Sequence, residues 1–237
     1  MMKQKQLFIY LIGAMLLLSA CGFQSGYQPD NVNPYPEQLE QVQRAVDQYS
    51  ENTGGLLPIK ERDQTVDQFI KYPVDFMKIV PSIMGQVPPN SFEAGGFYQY
   101  IIWDVEENPT VKLVDLRATD ILRDLNFRRS INGYAPIAET LAEGVYALDY
   151  EKMGYSSEVT VPSPYSTAQL PLVAIGTGEI FIDYSLELNL KLQELDEPVE
   201  PGTDIRDLLI DDSPIVPAYS LPYTVNEDNE PIFMLPE

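Results

Sequence analysis

The sequence predicts an α+β fold in which antiparallel hairpins pack with short helices after an N-terminal helix. Residues 36–51 carry apolar side chains at the 3.6-residue spacing of one helix face. Residues 97–105 and 111–116 are rich in β-branched and aromatic side chains, and a turn separates them. A second pair of such runs, 170–175 and 179–184, surrounds a glycine-containing turn. The two pairs therefore predict two β-hairpins.

The remaining elements are shorter and lie between or after these hairpins. Residues 186–195 fit a helix or a further strand, because their apolar and polar side chains alternate ambiguously. Thr203 predicts an N-cap for a helix over 204–210. The other predicted elements are short helices at 63–71, 117–129 and 136–143, a strand at 145–150, irregular chain at 73–89 and 158–166, and a last hairpin from 221–225 and 231–235. These elements predict a single domain over 36–237, with two subdomains dividing near 155–168 as the alternative.

The N-terminus carries the pattern of a signal peptide. Lys3 and Lys5 precede an apolar run over residues 7–18, and small residues follow this run. The run is too short to span a bilayer, because a membrane helix needs roughly 20 residues. A basic start, a short apolar stretch and small residues before a cleavage point predict that residues 1–20 are removed on export.

The end of this segment resembles the lipobox of bacterial lipoproteins. The residues that carry the resemblance are Leu18-Ser19-Ala20-Cys21. The resemblance implies that a diacylglyceryl group is attached to the thiol of Cys21, which then becomes the first residue of the mature protein. Two acyl chains anchor a protein stably, so the expected location is the extracytoplasmic face of the cell membrane. Residues 21–35 are polar and contain two prolines, which predicts a flexible tether.

Charge and residue types exclude several classes of function. The 237-residue chain has 36 acidic and 15 basic residues and a net charge of −21, so we expect no nucleic-acid partner. It contains no histidine, which excludes Ser-His-Asp and Cys-His nucleophile systems. Because Cys21 is the only cysteine, no thiol remains for a metal site, and we predict neither a metal nor another cofactor. These exclusions favour a protein that is not an enzyme.

Carboxylates alone could still perform acid and base catalysis, as they do in glycosidases. Four aspartates lie at predicted strand ends: Asp104, Asp115, Asp149 and Asp183. Because the chain has so many acidic residues, helix capping and strand termination are the favoured interpretation. A similar strand-then-helix pattern around Asp115 and Asp183 raises a duplicated unit as an alternative. Asp211, Asp212 and the 226–230 loop lack the ligand spacing of a strong calcium loop, which favours solvated turns.

Aromatic residues cluster in the first predicted hairpin. Tyr98, Tyr100 and Trp103 are the candidate ligand-binding residues, because aromatic side chains with polar edges suit glycans and peptides. Strand alternation places Tyr98 and Tyr100 on one face and Trp103 on the other. Core packing is therefore the alternative explanation for at least one of these faces.

Two segments, GGFYQYIIWDVEENPTVKLVDLR and SLPYTVNEDNEPIFM, resemble a family of uncharacterised lipoproteins from Bacillus-type Gram-positive bacteria. The resemblance implies a cell with one membrane and a thick wall outside it, and beyond the lipidated Cys21 it assigns neither an activity nor a site. We therefore expect a membrane-anchored, non-enzymatic module that binds a protein or cell-wall partner. The alternatives are a solute-binding lipoprotein of a transporter and a carboxylate-dependent hydrolase with two facing, partly buried carboxylates.

Overall fold

The computed structural model describes residues 36–60, 62–63 and 66–234. The predicted signal peptide, Cys21 and the tether lie outside these residues. The described residues belong to one compact unit. Their architecture is α+β, the fold class that the sequence predicts. None of its helices combines the length and the apolar character that crossing a membrane requires.

The elements follow one another in short segments along the chain. The α-helices are α1 (Pro36–Thr53), α2 (Phe76–Ile79), α3 (Thr119–Asn132) and α4 (Ser185–Glu194). Single 3₁₀ turns cover Gln68–Ile70, Phe92–Ala94 and Arg206–Leu209. The strands are β1 (Tyr98–Trp103), β2 (Thr110–Asp115), β3 (Ile137–Ala142), β4 (Val145–Leu148), β5 (Val161–Pro162), β6 (Gln169–Leu170), β7 (Leu172–Ile175), β8 (Ile180–Ile182), β9 (Tyr223–Val225) and β10 (Pro231–Phe233).

Helix α1 packs its apolar stripe against the first hairpin. The stripe is buried at Val42, Ala45 and Val46, as the helical spacing predicts. Gln43, beside the stripe, accepts a hydrogen bond from the Val111 backbone amide at 2.6 Å through Oε1. Its Nε2 donates to the Pro109 carbonyl oxygen at 3.1 Å. One polar side chain thereby fixes the helix against the start of β2.

The β1–β2 hairpin is buried on both faces. Its antiparallel register pairs Tyr100 with Leu113 and Ile101 with Lys112. Tyr100 and Leu113 belong to the core cluster that contains the stripe of α1. Ile101 packs on the opposite face with Phe69, at the centre of a second cluster. The two buried faces explain why the apolar residues of β1 run consecutively rather than in strict alternation.

A four-stranded antiparallel sheet, in the order β3-β4-β7-β8, forms the other main layer. Buried residues of α3 and α4, including Leu125 and Leu188, share one core cluster with Leu172 and Ile182 of this sheet. A smaller cluster centred on Val173 covers the opposite face. Strand β3 lies at the edge of the sheet.

The segment from Pro214 to Ser220 connects the two β layers. Leu113 in β2 forms a parallel bridge with Ile215, and Ile182 in β8 forms one with Ser220. A partly buried ion-pair cluster reinforces the connection nearby. Arg206 contacts Asp204 at 2.7 Å and Asp67 at 3.1 Å, and its guanidinium lies 4.8 Å from the ring centroid of Phe69. Residues far apart in the sequence thereby hold the layers in one unit.

Three sequence predictions of helix are wrong. Residues 136–143 form strand β3 instead, because pairing with β4 outweighs the helix propensity of their Ala, Glu and Leu residues. Of 63–71, only Gln68–Ile70 is helical among the described residues, since Pro73 disfavours helical backbone before it. The 204–210 helix is a 3₁₀ turn, Arg206–Leu209, whose amide at Arg206 is bound by Asp204 and not by Thr203.

The other predicted elements are found close to their expected positions. The N-terminal helix, the hairpins β1–β2 and β7–β8, and the last hairpin β9–β10 are confirmed. Residues 186–195 adopt the helical alternative, as α4. The helix predicted at 117–129 runs from Thr119 to Asn132 and ends at Gly133, whose φ of 77° is left-handed.

Candidate functional site

Two of the strand-end aspartates, Asp115 and Asp183, bind the chain that follows their strands. Asp115 accepts a hydrogen bond from the Arg117 backbone amide at 2.9 Å and binds the Arg117 guanidinium. Asp183 accepts one from the Ser185 backbone amide at 2.8 Å and one from the Tyr223 hydroxyl at 2.8 Å. Both aspartates end the second strand of a hairpin and precede a helix, so the similarity of the two sequence segments has a structural counterpart.

The other two aspartates also have local structural functions. Asp104 is exposed in the β1–β2 turn and has a left-handed φ of 50°. Asp149 accepts a hydrogen bond from the Lys152 backbone amide at 3.0 Å and pairs with the Lys152 ammonium group. These interactions, chiefly the side-chain bond, lower the pKa of Asp149. The four aspartates therefore do not converge on one catalytic centre.

The aromatic candidates of the first hairpin face the protein interior to different degrees. Tyr100 is buried, and its hydroxyl donates to Asn90 Oδ1 at 2.8 Å. Burial raises the pKa of Tyr100 to about 12. Tyr98 is half-buried, and Trp103 stacks on Phe69 with ring centroids 5.0 Å apart. These three residues therefore do not form a joint ligand face on the surface.

An acidic cavity of about 400 Å³ opens beside strands β3, β4 and β7. The register of the sheet places Glu139, Ala147 and Val173 in one row across these three strands. Ala147, which has the smallest side chain of the row, lies in its middle. Leu148 and Leu172 add to the apolar part of the lining. The lining thus combines residues of three neighbouring strands.

All the charged side chains that line this cavity are acidic. The exposed carboxylates of Glu139 and Glu158 and the buried carboxylate of Asp183 all belong to its lining, and none of the described residues that line it is basic. The Tyr150 hydroxyl is also there, buried and without a hydrogen bond of normal geometry in the described structure. A ligand that brings a hydrogen-bond donor and positive charge would complement both features.

The electrostatics of Tyr150 fit this description. Burial, followed by the negative charge of Glu158, raises the pKa of its hydroxyl to about 12, and the Leu172 backbone amide offsets part of the shift. Tyr150 therefore stays neutral at physiological pH, and its oxygen can accept a hydrogen bond from a ligand. The charge of the cavity comes from its carboxylates alone.

The sequence interpretation missed this site. Glu139 was expected in a helix, whereas the structure places it on a strand. Tyr150 and Glu158 carried no motif. The sequence IAETLA does not alternate apolar and polar side chains, so it offered no local signal for a strand.

The candidate calcium loops are closed turns. Asn226 Oδ1 accepts hydrogen bonds from the backbone amides of Asp228 and Glu230, at 3.0 and 2.8 Å, so this oxygen is already engaged. Asp212 lies 3.4 Å from the Lys191 ammonium group. Within the described residues, no group of three histidine, cysteine or acidic side chains could hold a metal ion.

Comparison with known proteins gives one match. Residues 35–115 match the family model described as the YphF family N-terminal domain, which covers about a third of the chain. The match includes helix α1 and the β1–β2 hairpin, and it excludes the cavity and the lipobox-like segment. No curated protein and no solved structure matches the chain.

Proposed function

We propose that this protein is a lipid-anchored, extracytoplasmic binding protein that captures a cationic group of a protein or cell-wall partner. The observation that carries the proposal is the acidic cavity, which combines three carboxylates with the buried hydroxyl of Tyr150. Its volume lies in the range of about 300–1,000 Å³ that is common for small ligand sites. The role we propose is binding without catalysis, because three of the four strand-end carboxylates bind backbone amides and the four do not converge on one centre.

The anchor and the cavity have complementary functions in this proposal. The lipobox-like segment ending at Cys21 would hold the domain at the membrane, and the 21–35 tether would give it reach into the wall space. Because the chain is strongly acidic, its surface is repelled by anionic lipid headgroups, so that lipid attachment and not surface charge would keep it at the membrane. A cationic partner would in contrast be attracted.

A solute-binding lipoprotein of a transporter is the second candidate, and the size of the cavity favours it. The described residues form one compact unit and not two lobes around a cleft. A transporter protein of this kind would bind a free cation as tightly as the same cation attached to a partner.

Binding of spermidine, measured by calorimetry at low salt, tests the cavity. Replacing both Glu139 and Glu158 by glutamine should weaken binding about tenfold, because it removes two of the attracting charges. Ala147→Leu should abolish binding, since the longer side chain fills the cavity. Glu143→Gln, an exposed change in the β3–β4 turn outside the cavity, is the matched control and should have little effect.

Circular dichroism would establish that each variant folds. Equal spermidine affinity in the wild type and the double glutamine variant would overturn the cavity as a cation site. Tight binding that survives Ala147→Leu would place the ligand elsewhere on the surface.

Substitution of Cys21 tests the anchor independently. Cys21→Ala should release the protein from membranes or leave it unprocessed, because the thiol that carries the lipid is lost. Cell fractionation and intact-protein mass spectrometry measure the two outcomes. Unchanged mass together with membrane retention after detergent-free washing would refute lipidation at this residue.

A further inference from the structure

Strand β3 presents an open edge next to the acidic cavity. It pairs with β4 on one side, and among the described residues no strand pairs with its other side. Every residue from Ile137 to Leu141 is exposed. An edge strand carries backbone donors and acceptors that can pair with an added strand. The exposure of five consecutive residues distinguishes β3 from every other described strand.

The side chains of β3 connect this edge to the cavity. Glu139 and Leu141 belong to both the strand and the cavity lining. Ile137 and Leu141 are each 45% exposed, so the edge also offers apolar contact surface. A chain added along β3 would therefore place its side chains beside the cavity mouth.

We infer that β3 accepts an extended cationic peptide segment as an additional strand, with basic side chains directed to the carboxylates at the cavity mouth. The inference rests on the proposed function and names the partner class for the same site. Main-chain hydrogen bonds to the edge would supply affinity, as in other proteins that bind peptides by strand addition. The carboxylates would supply the preference for lysine or arginine.

The charge of the chain favours a basic peptide over a second copy of this protein at the edge of β3. A second copy of this chain would bring another Glu139 to the edge, in a molecule whose net charge is −21, so like charges disfavour pairing between copies. Two irregularities interrupt the pairing of β3 with β4, at residues 137–139 and 140–142. Charges and bulges are common guards against indiscriminate strand pairing. A basic segment would not be repelled by these carboxylates, and it would still have to fit the irregular backbone of β3.

The test compares two probes on the full chain in a nonionic detergent. The first is a capped peptide of alternating lysine and valine, of the same length as β3. The second is the same peptide with alternate backbone amides N-methylated, prepared in both registers so that either edge of the peptide is blocked. Calorimetry gives the affinities, and hydrogen exchange reports the β3 amides. Spermidine serves as a small cation that cannot form a strand.

We expect the unmodified peptide to bind, and one N-methylated register to bind at least about tenfold more weakly, because strand pairing is lost while charge is kept. Amides within 137–142 should become protected with the peptide and not with spermidine. Equal affinity in all registers, without protection, overturns strand addition while spermidine binding leaves the cavity proposal standing. Loss of both peptide and spermidine binding refutes both proposals. Protection that grows with protein concentration alone would show pairing between copies instead.

Discussion

The β1–β2 hairpin and strand β3 differ in what covers them. Both faces of the hairpin are packed, with Leu113 and Val114 fully buried against different core clusters. Strand β3 is exposed along its length, and the acidic cavity opens beside it. The hairpin thus contributes to stability, whereas β3 is free to contact a partner. A strand pattern alone does not distinguish these two situations.

The part of the chain that matches the family model and the part that follows it also differ in what they contribute to the proposed site. The YphF N-terminal domain match ends at Asp115, the last residue of β2. The cavity is formed by residues between Glu139 and Asp183. The segment that bridges the layers, Pro214 to Ser220, lies still later in the chain. The matched region therefore completes its packing with later residues, and the proposed binding site lies outside the match.

A matched pair of leucine truncations should give the largest contrast between the two regions. Leu113→Ala in β2 removes a fully buried side chain, and we expect it to lower the free energy of unfolding by about 2–5 kcal/mol. Leu141→Ala in β3 removes a half-exposed one and should cost less than about 1 kcal/mol. Urea unfolding followed by circular dichroism gives both values. Similar costs at the two positions would contradict the difference in packing.

The sequence predicted the hairpins because their signals are local. The aromatic and β-branched residues of YQYIIW and TVKLVD flank a proline-containing turn, and these properties define a hairpin without reference to distant residues. Strand β3 was missed because IAETLA contains good helix formers, and only pairing with β4 makes it a strand. The secondary structure of residues 137–142 therefore depends on a contact that the local sequence does not show.

The cavity could not be predicted for a related reason. Its lining includes Glu139, Ala147 and Val173, which only the register of three strands brings into one row. Glu158 reaches the same cavity from a separate loop. For the aromatic cluster the error was the opposite, since a ligand site was predicted where the structure has core packing. Tyr100 is of a residue type that suits a ligand face, but it packs in the core cluster that contains the stripe of α1, and its hydroxyl is bound to Asn90. Composition identified aromatic residues without showing what would cover them.

Two tyrosine hydroxyls allow a finer comparison of the two regions. Tyr100→Phe in the hairpin removes the hydrogen bond to Asn90 and should lower the free energy of unfolding by about 1–2 kcal/mol. Tyr150→Phe at the cavity removes a buried hydroxyl that has no normal hydrogen bond, so the stability should be nearly unchanged. Spermidine affinity should nevertheless fall severalfold in Tyr150→Phe, because the ligand loses an acceptor.

The pH dependence of unfolding provides the control for this pair. Both hydroxyls have a pKa raised to about 12 by burial, compared with about 10 for an unfolded tyrosine. Each neutral hydroxyl therefore contributes stability that is present below pH 10 and is lost as the pH rises towards 12. Each phenylalanine variant should lose less stability than the wild type over this interval. A Tyr150→Phe variant that is strongly destabilised at neutral pH would instead show that its hydroxyl is bonded in the folded protein and is not available to a ligand.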